Sequence, residues 1–119
     1  MKPERLVLSR HKGFNLDALS HERNGLPVQT VARPGKWGNP FTIDAVKAET
    51  GLDRGAAQAE AVARYGRWVA GTLEPEHWPG RAPPSRAEIR RELKGRNLAC
   101  WCRAGTPCHG DILIALAND

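Results

Sequence analysis

The chain is 119 residues long, 40% apolar and 26% charged, with a formal net charge of +5 and a pI of about 9.6. That length suits one domain spanning 1–119 with a modest core. No run approaches the roughly 20 apolar residues that a membrane-spanning helix needs, so no membrane partner is expected. There are three cysteines, two of them separated by a single residue. Leu6-Val7-Leu8 is too short an apolar run for a leader. The expectation is a reducing, cytoplasmic setting, in which clustered thiols bind metal or do chemistry rather than build a disulfide framework.

Residues 1–40 hold seven Lys/Arg against three Asp/Glu, which points to an anionic partner, a nucleotide or nucleic acid, at the N-terminal third. Residues 5–10 are a short β-type run. Residues 14–26 are polar and mixed, with Asn24-Gly25 as a turn signal. Residues 28–32 are β-branched and partly alternating, a second strand.

This strand runs into residues 33–41, where two prolines and two glycines exclude a regular element. Two uses of the loop are open. In the first it is a rigid recognition surface, with Arg33 and Lys36 holding an anion, Trp37 stacking on a base, and Asn39 reaching a base or sugar. In the second it is a structural corner, with Trp37 and Phe41 plugging the core. The loop does not match a P-loop, having no Gly-Lys-Ser/Thr ending. Thr42 caps a helix over 43–49, and Asp53 caps the longest helix, over about 54–71. There Val62, Tyr65 and Val69, with Ala61 and Trp68, form an apolar stripe flanked by solvated Arg64 and Arg67. Residues 72–84 hold four prolines and form an irregular loop. Ser85-Arg86-Ala87-Glu88 is a capping box for a helix through Leu93 that ends at Gly95.

Residues 97–102 are the third strand. On a strand, Cys100 and Cys102 share a face and Trp101 points to the opposite one, into the core. Thr106 followed by Pro107 is a good entry to the last helix, 107–117. Cys108 and His109 then fall in its first turn, where free N–H groups and the dipole favour a thiolate. Cys100, Cys102, Cys108 and His109 supply the four soft or borderline ligands of a zinc site. An iron–sulfur cluster uses similar donors. The competing uses are a nucleophilic Cys108 with His109 or Asp111 as proton carrier, and three reduced cysteines packed in a core. Asp111 also suits the helix dipole.

Strands alternating with helices predict a small single-domain α/β sandwich, with a short, mostly parallel sheet covered by helices. If the second and third strands are parallel neighbours, the 33–41 loop and the cysteine stretch sit on one rim, where open α/β sheets collect ligands.

Several motifs occur together: Arg33-Pro34-x-Lys36-Trp37-Gly38-Asn39-Pro40-Phe41, the Tyr65-x-x-Trp68 helix, Leu98-Ala99-Cys100-Trp101-Cys102 and Cys108-His109-Gly110-Asp111-Ile112-Leu113. With the opening Ser9-Arg10-His11-Lys12-Gly13-Phe14, the chain resembles a small bacterial and phage family named only as domain of unknown function 4326. The resemblance implies that the loop and the cysteine stretch belong to one domain and is silent on substrate. The function expected is therefore a zinc-binding domain that binds or processes a nucleotide or other phosphate-bearing ligand, by hydrolysis or group transfer. Arg10, Lys12, Arg33 and Lys36 are the expected anion ligands, and Asp111 and His109 the proton carriers. The alternative is a non-catalytic, metal-stabilised module that binds nucleic acid.

Overall fold

Three short parallel strands frame the molecule. In the computed structural model, which describes residues 2–119, β1 (Arg5–Val7), β2 (Val28–Thr30) and β3 (Asn97–Cys100) pair in the order β1-β3-β2. The register sets Arg5 against Leu98, Val7 against Cys100 and Thr30 against Ala99. The α-helices are α1 (Leu16–Asn24), α2 (Ile43–Thr50), α3 (Arg54–Ala70), α4 (Arg86–Leu93) and α5 (His109–Ala117), with a 3-10 turn at Pro75–His77. The expected small α/β domain with a short parallel sheet is what forms. No described helix is long and apolar enough to cross a membrane.

β3 lies between two parallel partners and is buried along its whole length, so it reads as a continuous apolar run rather than an alternating one. Leu98 and Cys100 face the main core, which is built from Tyr65 and Trp68 of α3, Ile89 and Leu93 of α4, and Leu113 of α5. Leu6 and Ala99 are paired in register and buried outside that cluster, and α1 closes this second face.

That closure is polar. The fully buried Asn97 forms a reciprocal amide pair with Asn24, at 2.8 and 2.9 Å, donates to Ser20 Oγ and accepts from the Glu4 N–H. α1 is the element that the sequence pattern missed. Its residues are too polar for an apolar stripe, and it is held instead by the Asn15 cap, by Ser20 and by Asn24. Asn97→Ala should therefore cost about 1–3 kcal/mol, because it strips the part-buried Glu4 N–H of its partner and removes bonds from Ser20 and Asn24, which keep only their bonds to the Leu26 and Lys2 backbone. A urea midpoint within error of wild type would remove Asn97 from this role.

Three further expectations are corrected by packing. Arg64 is not solvated but 5% exposed, because Glu49 meets its guanidinium in a fork at 2.8 and 3.2 Å and Glu60 takes its Nε. Arg64 in turn holds both carboxyls below their usual range. The last helix starts at His109, with Cys108 rather than Thr106 as its cap. β3 ends at Cys100, which leaves Trp101 outside the strand alternation; its indole is 45% exposed rather than buried.

Candidate metal centre and adjoining cavity

Because β2 and β3 are parallel neighbours, their carboxyl ends open on the same rim. The segment after β3 turns back and enters α5, which brings Cys108 beside Cys100. The Sγ atoms of Cys100, Cys102 and Cys108 all lie within 4.8 Å of one another, and Cys100 Sγ and Cys108 Sγ are 2.8 Å apart. Cys100 and Cys108 are buried and Cys102 half-buried. The Cys108 sulfur also accepts from the Gly110 N–H at 3.4 Å, in the first turn of α5.

Three thiols this close cannot ionise independently. Hydrogen bonds from Cys102 and then Cys108, with Arg5 beside them, favour the Cys100 thiolate. The same bond to Cys100 pushes the Cys108 thiol far up, and burial adds to this. A bound divalent cation would favour the thiolate form of all three.

Arg5 is the residue that sequence reasoning missed. It stands on β1 opposite Leu98, two register positions before the pair Val7–Cys100, with its side chain 10% exposed. Its guanidinium donates to the carbonyls of Cys102 at 3.1 Å, Arg103 at 3.3 Å and Thr106 at 2.9 Å. Nε donates to Asp111 at 3.1 Å, and Nη1 lies 3.9 Å from Cys100 Sγ. One planar fork thus binds both the loop that carries the cysteines and the helix that ends it. Gly110 makes room for the Arg5 stem, since a Cβ there would stand 3.2 Å from Arg5 Cδ. An arginine on an inward-facing register position of a short strand is the signal that could have revealed it.

His109 sits at 6% exposure with Nε2 2.7 Å from the Val31 carbonyl. A carbonyl only accepts, so Nε2 carries the proton. Burial lowers the ring's basicity, and in the tautomer with the proton on Nε2 the Nδ1 atom is an acceptor 3.9 Å from Cys108 Sγ. Nδ1 is not part of the group of atoms that lies within 4.8 Å. The Asp111 carboxylate is held by Arg5.

Beside the trio lies a cavity of about 110 Å³. Cys100, Trp101, Cys102 and His109 form one wall. Ala61 and Val62 of α3 form another, and Arg33 after β2 closes the rim. No carboxylate lines it, so a proton-carrier role for Asp111 finds no support there. Gln58 of α3 ties the cysteine loop down by donating to Thr106 Oγ1 and the Pro107 carbonyl.

The profile of a domain of unknown function, DUF4326, matches residues 18–119. The chain belongs to this family. No curated protein and no solved structure matches it. In this DUF4326 domain the 33–41 loop is a structural corner for most of its length. Trp37 is 6% exposed, with its carbonyl bound by the Tyr65 hydroxyl and Lys36 over its ring; it is in the core and cannot stack on a ligand. Lys36 is engaged by Glu88 at 2.8 Å and Glu92 at 2.7 Å, so its charge is already neutralised. The buried Asn39 lines the cavity, but its amide is committed to the Ala61 carbonyl and the Phe41 N–H. Gly38 passes so close to Arg33 that a Cβ would stand 2.8 Å from Arg33 Cγ and 3.0 Å from Arg33 Cα. That contact, with an Arg33–Asn39 carbonyl bond of 2.8 Å, fixes Arg33 at the rim. Arg10 and Lys12 of the DUF4326 domain are exposed beyond the end of β1.

Proposed function

We propose that this domain holds one zinc ion on Cys100, Cys102 and Cys108, and that the cavity beside it binds a nucleotide or other phosphate-bearing ligand. The observation that carries this reading is the convergence of three sulfur atoms within 4.8 Å, two of them on cysteines that line a cavity. A tetrahedral zinc centre with bonds of about 2.3 Å sets its sulfur ligands about 3.8 Å apart, within the span of this trio. Thiolates are soft donors, which favours zinc over magnesium or calcium. Arg5 supplies positive charge against the anionic cluster.

Three protein ligands leave a fourth position. His109 Nδ1 lies outside the 4.8 Å group and would have to move toward the trio to take it, though its other nitrogen is tied to a carbonyl in the way metal-bound histidines usually are. The cavity contents are the other occupant, because the cavity touches Cys100 and Cys102. Arg33 would hold the ligand's anion, and the apolar wall of Ala61 and Val62 would exclude water. Bound zinc would supply Lewis acidity, and hydrolysis or group transfer at the ligand is the reaction class that suits it. At about 110 Å³ the cavity would admit only part of such a ligand, with the remainder lying over the rim.

Elemental analysis of protein purified without added metal should find about one equivalent of zinc, and less than about 0.2 equivalents of any transition metal would overturn the metal reading. Arg33→Ala should weaken binding of a nucleoside phosphate by roughly 10- to 100-fold, the worth of one charge-assisted hydrogen bond. Affinity equal to wild type by calorimetry would return Arg33 to a structural role.

A further inference from the structure

The exposed Trp101 is the feature that the proposed site does not yet use. It lies between two of the three clustered cysteines, lines the cavity, and leaves 45% of its surface open. Leu52 and Trp78 are also exposed, but neither lines this cavity. The Arg10 guanidinium lies 4.3 Å from the centroid of its ring, close enough for a cation–π contact. Among the described residues neither Arg10 nor Arg33 takes part in an ion pair, whereas Arg5, Lys36, Arg64 and Arg67 all do. Two guanidinium groups that meet no carboxylate therefore accompany the half-exposed indole, Arg33 donating to the Asn39 carbonyl and Arg10 lying over one face of the ring, at a rim lined by no carboxylate.

We propose that Trp101 stacks the base of a nucleoside phosphate whose anion is held by Arg33 and Arg10. The inference rests on the reading of the cavity as a phosphate-ligand site and names the chemistry of the rest of that ligand. A planar ring and an anion on one small molecule match the open indole and the two arginines together; a simple phosphate ester would leave the indole unused. The backbone on either side of Trp101 is held, at Cys100 by the sheet and at Cys102 by the Arg5 bond to its carbonyl. The platform is therefore set in place before the ligand arrives, and little ordering is needed on binding. Trp101 takes the part that the sequence suggested for Trp37, whose ring is buried.

The test uses the full chain as purified, with its metal content measured. Calorimetric titrations with AMP, GMP, CMP and UMP are compared with ribose 5-phosphate, which has the anion without the base, and with a short oligothymidylate. Wild type should bind at least one nucleoside monophosphate more tightly than ribose 5-phosphate. Trp101→Leu should weaken that nucleotide by roughly 5- to 150-fold, the range found for a single base stack. It should leave ribose 5-phosphate affinity, metal content and melting temperature unchanged, and Trp101→Phe should restore part of the binding. Equal binding of nucleotide and ribose 5-phosphate, unaffected by Trp101→Leu, would overturn the stacking role and leave the phosphate reading standing. No binding of any phosphate ligand would overturn both. Tight binding of the oligonucleotide alone would overturn the mononucleotide in favour of a nucleic-acid strand.

Discussion

Cys100→Ser is expected to empty the metal centre and to abolish most of the stability that the metal confers. Serine is a poor ligand for a soft cation at neutral pH, and Cys100 is the thiol most readily ionised, through its bonds to Cys102 and Cys108 and its contact with Arg5. Metal content should fall from about one equivalent to near zero. A cation bound only by the folded state adds about 4 kcal/mol when its free concentration is 1,000 times its dissociation constant. The variant should then melt roughly 15 °C below wild type. After chelation, wild type and variant should converge to within about 1 kcal/mol, because a buried serine can still bond to its neighbours. That convergence separates lost metal from lost packing. A variant that retains full metal content would show that Cys100 is a core residue rather than a ligand.

The second large effect is expected at Arg5. Arg5→Met keeps the volume of the stem but strips hydrogen bonds from the carbonyls of Cys102, Arg103 and Thr106 and leaves Asp111 without its partner. Asp111 is exposed and regains water, so the cost falls mainly on the part-buried carbonyls and on the ordering of the cysteine loop. A loss of about 3 kcal/mol follows, or a fall in Tm of roughly 12 °C. Metal affinity should fall with it, since the three sulfurs would no longer be held together before binding. Arg5→Lys should recover only part of this, because one ammonium cannot satisfy a fork-shaped set of acceptors. An Arg5→Met protein with wild-type melting behaviour and metal affinity would show that the sheet and α5 position the cysteines without it.

Much of the candidate site was legible from local chemistry. The spacing of Cys100, Cys102 and Cys108 already suggested shared ligation, and the strand–loop–helix around them brings the three sulfurs within 4.8 Å. Parallel pairing of β2 with β3 then brought Arg33 to the same rim, as the strand order required. Two tryptophans needed the fold to place them. Trp37, in the charged, glycine-rich 33–41 loop, was open to either a stacking or a core role, and α3 reaches it through Tyr65 and buries it. Trp101 sits in an apolar run and looks buried, yet the strand ends one residue earlier.

The sequence by itself determined what depends on neighbours within a few positions: the caps at Thr42, Asp53 and Ser85, the amphipathic α3, and the clustering of thiols. Those are short-range hydrogen bonds and helical periodicity, and they need no knowledge of the rest of the chain. Only the tertiary structure decided which charges are spent and which are free. Arg5, Lys36, Arg10 and Arg33 are alike in sequence as cations. Arg5 meets partners about a hundred positions away and Lys36 partners more than fifty away, while Arg10 and Arg33 come to the cavity rim and the open indole. Pairing across the fold is set by sheet register and helix docking, and these long-range contacts separate the arginine that secures the cysteine loop from the two that remain available to a ligand.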